Sequence, residues 1–316
     1  MKKVLFATTA LVASAGIASA QGVSIGGWAE MGIVGGGVYG DEVQFWTDID
    51  VEFRMSGETD NGLTFGAGVD LDENGAFAGT TQGGEFIFIS GAFGTLTMGD
   101  TDGALDWALS DVGMGASIDD AHTSHAGYNG NNVMDGFDGK DGQIARYDYS
   151  FGDFAFALSA EIDDSGVDDP TFGVGATYAT SFGGVDLGFG IGYQAASGPG
   201  FDSSAVGASV DVMFAGGFHA ILNYTSYDDV VLGSGLAVDS HYAIGLGYTT
   251  GAISVSGNYG MFEGTGDDSQ SGFGLQAAYD LGGGAEVQFG YGYSEMDMGG
   301  VTTDTDQFSL GVAMSF

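Results

Sequence analysis

The stretch Val43–Ser56 alternates apolar and polar side chains along its whole length. Its odd positions carry Val43, Phe45, Thr47, Ile49, Val51, Phe53 and Met55, and its even positions carry Gln44, Trp46, Asp48, Asp50, Glu52, Arg54 and Ser56. Because successive side chains of a strand point to opposite faces, this pattern predicts a β-strand with one apolar and one charged face. The charged face cannot line a dry core without a large desolvation cost. A strand of this length and pattern is typical of a wall between lipid and water.

The first twenty residues have the features of a targeting segment. Lys2 and Lys3 precede the apolar run Val4–Ile17, and Ala18-Ser19-Ala20 precedes Gln21. This order predicts a secretory signal peptide over residues 1–20, cleaved after Ala20. A transmembrane helix is the alternative, but the run is short and no stop signal follows it. We therefore expect residues 21–316 to form the folded domain.

The composition excludes several classes of protein. The chain has 43 Asp and Glu residues against 5 Lys and Arg residues, a formal net charge of −38. Such a chain cannot bind nucleic acid through phosphate contacts, which need basic side chains. It has no cysteine for disulfides, although the signal peptide directs it to an oxidising compartment. With 61 Gly and only 2 Pro, it suits a continuous hydrogen-bonded sheet, in which proline cannot donate.

The same alternation recurs to the end of the chain, with two kinds of connection between the strands. Tight turns are predicted near 58–62, 93–94, 151–153, 182–184, 215–217, 250–252 and 282–284, and longer polar loops near 164–170, 196–203, 228–238, 263–271 and 295–305. Short turns at one end and long loops at the other are typical of a transmembrane barrel. We predict an all-β, antiparallel, up-and-down barrel of about sixteen strands. Its closure pairs every backbone group, and its size leaves an aqueous lumen.

The segment Asp100–Gly142 is the longest stretch without sustained alternation, too long for an ordinary connection. Leu105, Trp107 and Leu109 give it an apolar side that could pack against the wall, whereas a free external loop is the alternative. The segment is strongly acidic and contains one base, Lys140. Its carboxylates are Asp100, Asp102, Asp106, Asp111, Asp119, Asp120, Asp135, Asp138 and Asp141.

Three segments carry a resemblance to a known family. They are Met55–Gly66, Ser90–Asp100 and the alternating C-terminal strand that ends at Phe316. With the signal peptide, they make the chain similar to alphaproteobacterial general-diffusion porins. The resemblance implies a homotrimer in the bacterial outer membrane, in contact with lipid and lipopolysaccharide, and a third loop folded into the lumen as a constriction. The stretch 100–142 stands where that loop would be.

The predicted pore wall is more acidic than the resemblance implies. Family members set basic wall residues opposite the acidic loop, but here the second strand has carboxylates instead. The wall residues that we predict are Asp48, Asp50, Glu52, Arg54, Arg146 and Asp148, and those of the constriction are Asp100, Asp102, Asp106, Asp111, Asp119, Asp120 and Lys140. Carboxylate rings select cations. We therefore predict a channel for passive diffusion of ions and small hydrophilic solutes, selective for cations.

Two acidic clusters resemble calcium ligands. One consists of Asp100, Asp102 and Asp106, and the other of Asp135, Asp138 and Asp141. Neither fits the twelve-residue EF-hand loop, so a solvated acidic loop is the alternative. No cofactor is required by the predicted function, and Ca²⁺ is the one ion that these clusters suggest.

Other functions have less support in the sequence. The histidines have no zinc-binding spacing and no G-x-S-x-G motif occurs, so we predict that the chain is not an enzyme. A substrate-specific channel would need a continuous aromatic track, and the polar strand faces show only Trp28 and Trp46. A secreted calcium-binding adhesin would need nonapeptide repeats, which are absent.

Overall fold

The computed structural model describes residues 22–40, 42–74, 81–115, 117–118, 124–137, 140, 142–162 and 169–316. The predicted signal peptide lies outside these residues. The described part of the chain forms sixteen strands, one short α-helix, α1 (Ala104–Ala108), and one 3₁₀ turn (Gly37–Tyr39). The strands are β1 Gly22–Gly36, β2 Gln44–Glu58, β3 Thr64–Asn74, β4 Thr81–Gly91, β5 Gly94–Asp100, β6 Gln143–Phe151, β7 Phe154–Glu161, β8 Thr171–Phe182, β9 Val185–Gly198, β10 Phe201–Phe214, β11 Phe218–Val231, β12 Ala237–Thr250, β13 Ile253–Gly264, β14 Ser269–Gly282, β15 Ala285–Met298 and β16 Val301–Ser315.

All strands belong to one closed antiparallel barrel. Each strand pairs with its neighbours in sequence, and β1 closes the barrel against β16, with Trp28 opposite Ser315 and Gly36 opposite Gln307. Closure satisfies the backbone donors and acceptors without an open sheet edge. The predicted all-β barrel of about sixteen strands is confirmed. No helix among the described residues is long and apolar enough to cross a membrane.

The two-residue period sets which side chains face outward. On β2, Phe45 is 94% exposed on the outer surface, whereas its neighbour Trp46 is 9% exposed and faces inward. Large apolar side chains cover the outer surface of the other strands as well, as at Ile87 and Leu246. Aromatic residues beside the short turns, such as Phe182 and Phe218, are also exposed there. This outer surface suits a hydrocarbon solvent.

The predicted long loops 196–203, 228–238 and 295–305 are mostly wrong, whereas most of the predicted loop 164–170 lies outside the described residues. The stretch 196–203 contains only the turn Pro199-Gly200 between two paired strands, and 295–305 contains only Gly299-Gly300. Strand β11 continues to Val231 inside the predicted loop 228–238. These segments look like loops because their outward side chains are polar. A strand that extends beyond the hydrocarbon keeps its backbone hydrogen bonds to the neighbouring strands, but its outward side chains no longer need to be apolar.

The buried apolar contacts lie between the barrel wall and the loop 100–142, not along the barrel axis. Leu105, Leu109 and Met134 of the loop pack against wall residues that include Ala205 and Tyr227. Two smaller clusters join Val112 to Ile221 and Ala243, and Ile118 to Val34 and Trp46. The loop is therefore folded into the lumen, as predicted, and its apolar side is attached to the wall.

Candidate functional site in the barrel lumen

The loop leaves the wall at the end of β5, where Gly99 adopts a φ of +131°. A Cβ at this position would overlap the Glu85 carbonyl oxygen of the neighbouring strand. Only glycine adopts this conformation without strain, and only glycine fits against β4. Gly99 lies in the segment Ser90–Asp100, one of the three segments that resemble the known family. The positive φ and the close approach to β4 explain why this segment has glycine at position 99.

The first turn of the loop is held by side chains of the wall and of the returning chain. The Ala104 amide donates to Ser159 Oγ of β7 at 2.8 Å, and the Gly103 amide donates to Asp135 Oδ2 at 2.8 Å. Gln194 of β9 donates from Nε2 to Asp135 Oδ1 at 2.7 Å. Two of the free backbone amides at the start of helix α1 thus have acceptors, and the helix lies on the inner faces of β7, β8 and β9.

The middle of the loop continues across β10 and β11. The Ser110 amide donates to Ser209 Oγ at 2.9 Å, and Asn223 Nδ2 donates to the Ser110 carbonyl at 3.0 Å and to Asn131 Oδ1 at 2.7 Å. Asn131 in turn donates from Nδ2 to Asp111 Oδ1 at 2.9 Å. These hydrogen bonds connect two segments of the loop, one at Ser110 and Asp111 and one at Asn131, to each other and to the wall.

The far part of the loop reaches the opposite side of the barrel. His241 Nε2 of β12 lies 2.9 Å from the Gly127 carbonyl oxygen, and the Ala126 amide donates to Ser294 Oγ of β15 at 3.0 Å. His125 Nε2 lies 2.8 Å from Asn258 Oδ1 of β13. The described part of the loop therefore lies along most of the inner wall, from β7 round to β15.

Glu161 anchors the point where the chain returns to the wall. Its side chain is almost fully buried, with 1% of the residue exposed. Oε2 accepts from the Gly136 amide at 3.1 Å and Oε1 from the Gly142 amide at 2.9 Å. No sequence signal marks Glu161, Gln194 or Asn223, because polar residues also face inward on other strands and only contact with the loop distinguishes these three.

The predicted acidic wall residues Asp48, Asp50 and Glu52 lie on the inner face of β2, opposite further carboxylates of β1 and β3 that were not predicted. Glu30 is opposite Asp48, Asp50 is opposite Asp72, and Glu52 is opposite Asp70 in the strand register. Carboxylate oxygens of Asp48, Asp50 and Asp72 lie within 4.8 Å of one another. Directly opposed like charges destabilise a sheet, so this surface gains free energy from nearby cations.

The wall arginines are each held by a carboxylate. Arg54 Nη2 lies 2.6 Å from Glu52 Oε1 on the same strand. Arg146 Nη1 donates to the Asp102 carbonyl at 2.6 Å and lies 3.6 Å from Asp102 Oδ2, while its Nε lies 3.9 Å from Asp148 Oδ1. The Arg146 side chain is only 6% exposed. These contacts leave the lumen with little free positive charge.

A cavity of about 660 Å³ lies against the inner faces of β4, β5 and β6. Arg54, Arg146 and Asp148 line it from the wall, and Asp100 and Asp102 line it from the start of the loop. The structure thus brings five of the predicted site residues to one space. The other predicted wall residues, Asp48, Asp50 and Glu52, lie beside it on β2.

The deeper loop carboxylates hold their protons more tightly than usual. Burial raises the pKa of Asp106 well above its usual value, and the neighbouring carboxylates of Asp102 and Asp111 add to the effect. Burial, with Asp102 nearby, also raises the pKa of Asp111 to about 6. The pKa of Asp135 rises to about 6 because burial outweighs its hydrogen bonds from Gly103 and Gln194.

Lys140 and His125 of the loop do not line the cavity. Lys140 is buried, and its Nζ lies 5.8 Å from the centre of the Phe201 ring. Burial lowers the pKa of His125 to about 4, so this imidazole is neutral at pH 7. Asp119, Asp120, Asp138 and Asp141 lie outside the described residues. Among the carboxylates that are described, Asp48, Asp50 and Asp72 form the one group with metal-binding geometry, rather than Asp100, Asp102 and Asp106.

Comparisons with known proteins agree with this architecture. A family model described as Gram-negative porin matches residues 7–299. The chain is 29% identical to a porin of Rhodobacter capsulatus over 93% of this chain and 100% of that protein. A porin structure refined at 1.8 Å resolution superposes with a TM-score of 0.71 and 26% identity, covering 93% of this chain and 100% of its own. Variants of the Rhodopseudomonas blastica porin, at 22% identity and a TM-score of 0.61, share the fold.

Proposed function

Because the chain belongs to the Gram-negative porin family, we propose that its outer-membrane channel is cation-selective and passes ions and small hydrophilic solutes by passive diffusion. The family and the closed barrel indicate a channel rather than an enzyme. The observation that carries the selectivity is the inner face of β2 and β3, where Asp48, Asp50 and Asp72 lie together without a basic residue opposite them in the register.

The balance of charge in the lumen supports this proposal. Arg54 and Arg146 are both paired with carboxylates, so neither offers an unopposed site for an anion. At physiological ionic strength the Debye length is about 8 Å, comparable with the radius of a porin constriction, so the negative field is not fully screened. Cations are concentrated in such a pore and anions are depleted.

The direct test of selectivity is the reversal potential of the channel in a planar bilayer with a KCl gradient. We expect a potential of the sign given by K⁺ permeation at pH 7. Replacing Asp48 and Asp50 by Asn should move the potential towards zero, because it removes wall charge without changing side-chain size. Asp153→Asn, in the exposed turn after β6, is the matched control and should leave the potential unchanged. Preference of the unmodified channel for Cl⁻ would contradict the proposal.

The assembly and the maturation of the protein are also proposals. We propose a homotrimer in contact with outer-membrane lipid and lipopolysaccharide, formed after removal of residues 1–20. The supporting observations are the exposed apolar outer surface of the barrel and the match to the family. Protein purified from outer membranes should begin at Gln21 and migrate as a trimer before heating. An intact Met1 or a monomeric barrel would contradict these two proposals separately.

Calcium binding by the acidic loop stays a prediction. If Ca²⁺ bridges loop carboxylates such as Asp100, Asp102 and Asp106, or Asp135 with its neighbours at 138 and 141, chelation should remove a cross-link between acidic groups that repel one another. We expect EDTA to lower the unfolding temperature, and added Ca²⁺ but not added Na⁺ of equal ionic strength to restore it. The same unfolding temperature with and without EDTA would count against a structural calcium ion.

A further inference from the structure

We propose that Phe86 and Phe88, together with Asp100, Asp102 and Asp148, form a binding subsite in the lumen for small organic cations that carry an aromatic ring. All five residues line the cavity of about 660 Å³ beside the loop. A volume of this size can accommodate a small organic molecule. The proposal deepens the proposed channel function and rests on it, because the solute must first enter a lumen that concentrates cations.

The two phenylalanines face the lumen and not the lipid. On β4 the residue between them, Ile87, is 67% exposed on the outer surface, so Phe86 and Phe88 lie on the opposite face. Their ring centres are 6.5 Å apart and the ring planes differ by 25°, a stacked arrangement. They therefore present neighbouring aromatic surfaces in a wall whose other inward residues are mostly polar.

Glycines on the neighbouring strand position the two rings. Phe86 is opposite Gly68 and Phe88 is opposite Gly66 on β3. A Cβ on Gly68 would overlap the Phe86 ring, and a Cβ on Gly66 would overlap the Phe88 ring. The rings thus extend over the glycine backbone, which is a close approach that no other residue type allows. Their positions are set by the fold before any solute arrives.

These rings are not part of the apolar packing that attaches the loop. Each of the three buried apolar clusters contains a loop residue, and neither Phe86 nor Phe88 belongs to any of them. Both rings stay partly exposed where they line the cavity. Aromatic surface left open to water in a channel is available to stack with a solute.

The charges around the rings favour a cation. Asp100 is exposed and accepts from the Gly84 amide at 3.1 Å, and the side chains of Asp102 and Asp148 are 37% and 26% exposed. Both guanidinium groups also line the cavity, but the Arg146 side chain is 6% exposed, and the Arg54 side chain, which is 42% exposed, lies 2.6 Å from the Glu52 carboxylate. A solute with a ring and an ammonium group can place the ring on Phe86 and Phe88, where cation–π attraction also acts, and its charge near the carboxylates.

The test compares two channel blockers, benzyltrimethylammonium and tetramethylammonium, in planar bilayers. We expect benzyltrimethylammonium to reduce the K⁺ current at a concentration at least about fivefold lower, because only this ion carries a ring. Benzenesulfonate, which has the ring and the opposite charge, should not block in this range. Equal potency of the two cations, or block by benzenesulfonate at the same concentration, would overturn the proposal.

Variants assign the effect to the rings. In the double variant Phe86→Leu, Phe88→Leu the advantage of benzyltrimethylammonium should disappear, whereas Ile87→Leu on the outer face should keep it. Single variants Phe86→Leu and Phe88→Leu test the same point with a smaller change if the double variant does not assemble. If benzyltrimethylammonium still blocks at a lower concentration than tetramethylammonium in folded leucine variants, its ring does not bind at Phe86 and Phe88, and the proposal is overturned.

The same bilayers separate a failure of the subsite from a failure of the channel proposal. The reversal potential in a KCl gradient, measured before any blocker is added, reports cation selectivity and should be unchanged in the leucine variants. A cation-selective channel without preference for the benzyl compound would refute the subsite alone. A channel that prefers Cl⁻ would refute the selectivity on which the subsite depends.

Discussion

Individual polar residues determine where the loop is attached to the wall. Glu161 is the clearest case, since one buried carboxylate accepts the amides of Gly136 and Gly142, which lie on either side of Lys140. A buried amide that loses its acceptor costs about 1–3 kcal/mol of stability. Single substitutions at such residues should therefore change the loop without changing the barrel.

Replacing Glu161 by Ala should loosen the point where the loop returns to the wall. We expect a lower unfolding temperature and a noisier single-channel current, because two amides lose their acceptor and the constriction gains mobility. Circular dichroism and bilayer recordings measure the two effects. Glu58→Ala, an exposed carboxylate at the end of β2, is the control. The same current noise in both variants would contradict the anchoring role.

The carboxylate of Asp106 should make the stability of the protein depend on pH. Its pKa is raised in the folded state, so between its unfolded pKa and its folded pKa the folded protein binds more protons and stability falls as pH rises. Asp106→Asn removes this charge. We expect the variant to unfold at a higher temperature than the unmodified protein at pH 8 and at about the same temperature at pH 3.5.

The control for this prediction is Asp100→Asn, since Asp100 is exposed at the mouth of the loop. It should not show the same pH-dependent gain. An Asp106→Asn variant that is less stable than the unmodified protein at pH 8 would show that the carboxylate has a stabilising partner as an anion.

At the scale of whole elements, the loop is placed by glycines of the wall as much as by hydrogen bonds. A Cβ on Gly175 would overlap the Ala104 carbonyl oxygen, one on Gly190 would overlap that of Ala108, and one on Gly245 would overlap that of Val112. The loop backbone thus lies directly on β8, β9 and β12. In the sequence these residues look like ordinary strand glycines. The sequence does not show that the loop backbone occupies the space where a side chain would be.

Substitution of Gly190 by Ala should push α1 away from β9 into the lumen. Gly188, on the same face of the same strand, is the matched control, since its nearest Cβ contact is Asp211 Cβ at 3.4 Å, an ordinary van der Waals distance. We expect Gly190→Ala to destabilise the protein by about 1–3 kcal/mol and to change the single-channel conductance. Gly188→Ala should do neither. Equal behaviour of the two variants would contradict the close packing of loop and wall.

How much of the architecture could be read from the sequence follows from the same physics. The strands within the hydrocarbon were predictable because lipid requires apolar side chains at every second position, as at Phe45 and Ile49. The extended ends, such as residues 302–306 of β16, were not, since these residues are exposed to water and any polar residue serves there. The lumenal rings Phe86 and Phe88 were missed because an apolar residue on the polar face of a strand looks like a break in the pattern.

At the scale of the whole molecule, the net charge of −38 and the closed barrel belong together. The carboxylates can be this dense only because they face water, either in the lumen or beyond the ends of the barrel. The apolar side chains face the opposite way on the same strands. The alternation of apolar and polar residues therefore places one face of each strand against lipid and the other against water. The assignment of the two faces is therefore the central claim, and the predicted conduction, selectivity and solute subsite all depend on it.

The absence of cysteine from the chain makes that claim directly measurable. Thr97 lines the cavity, and its neighbour Met98 is 56% exposed on the outer surface. In planar bilayers, a water-soluble trimethylammonium-ethyl methanethiosulfonate reagent should reduce the conductance of Thr97→Cys by attaching a bulky charge in the pore, and it should leave Met98→Cys unchanged. A reduction at Met98→Cys with none at Thr97→Cys would contradict the assignment of the two faces.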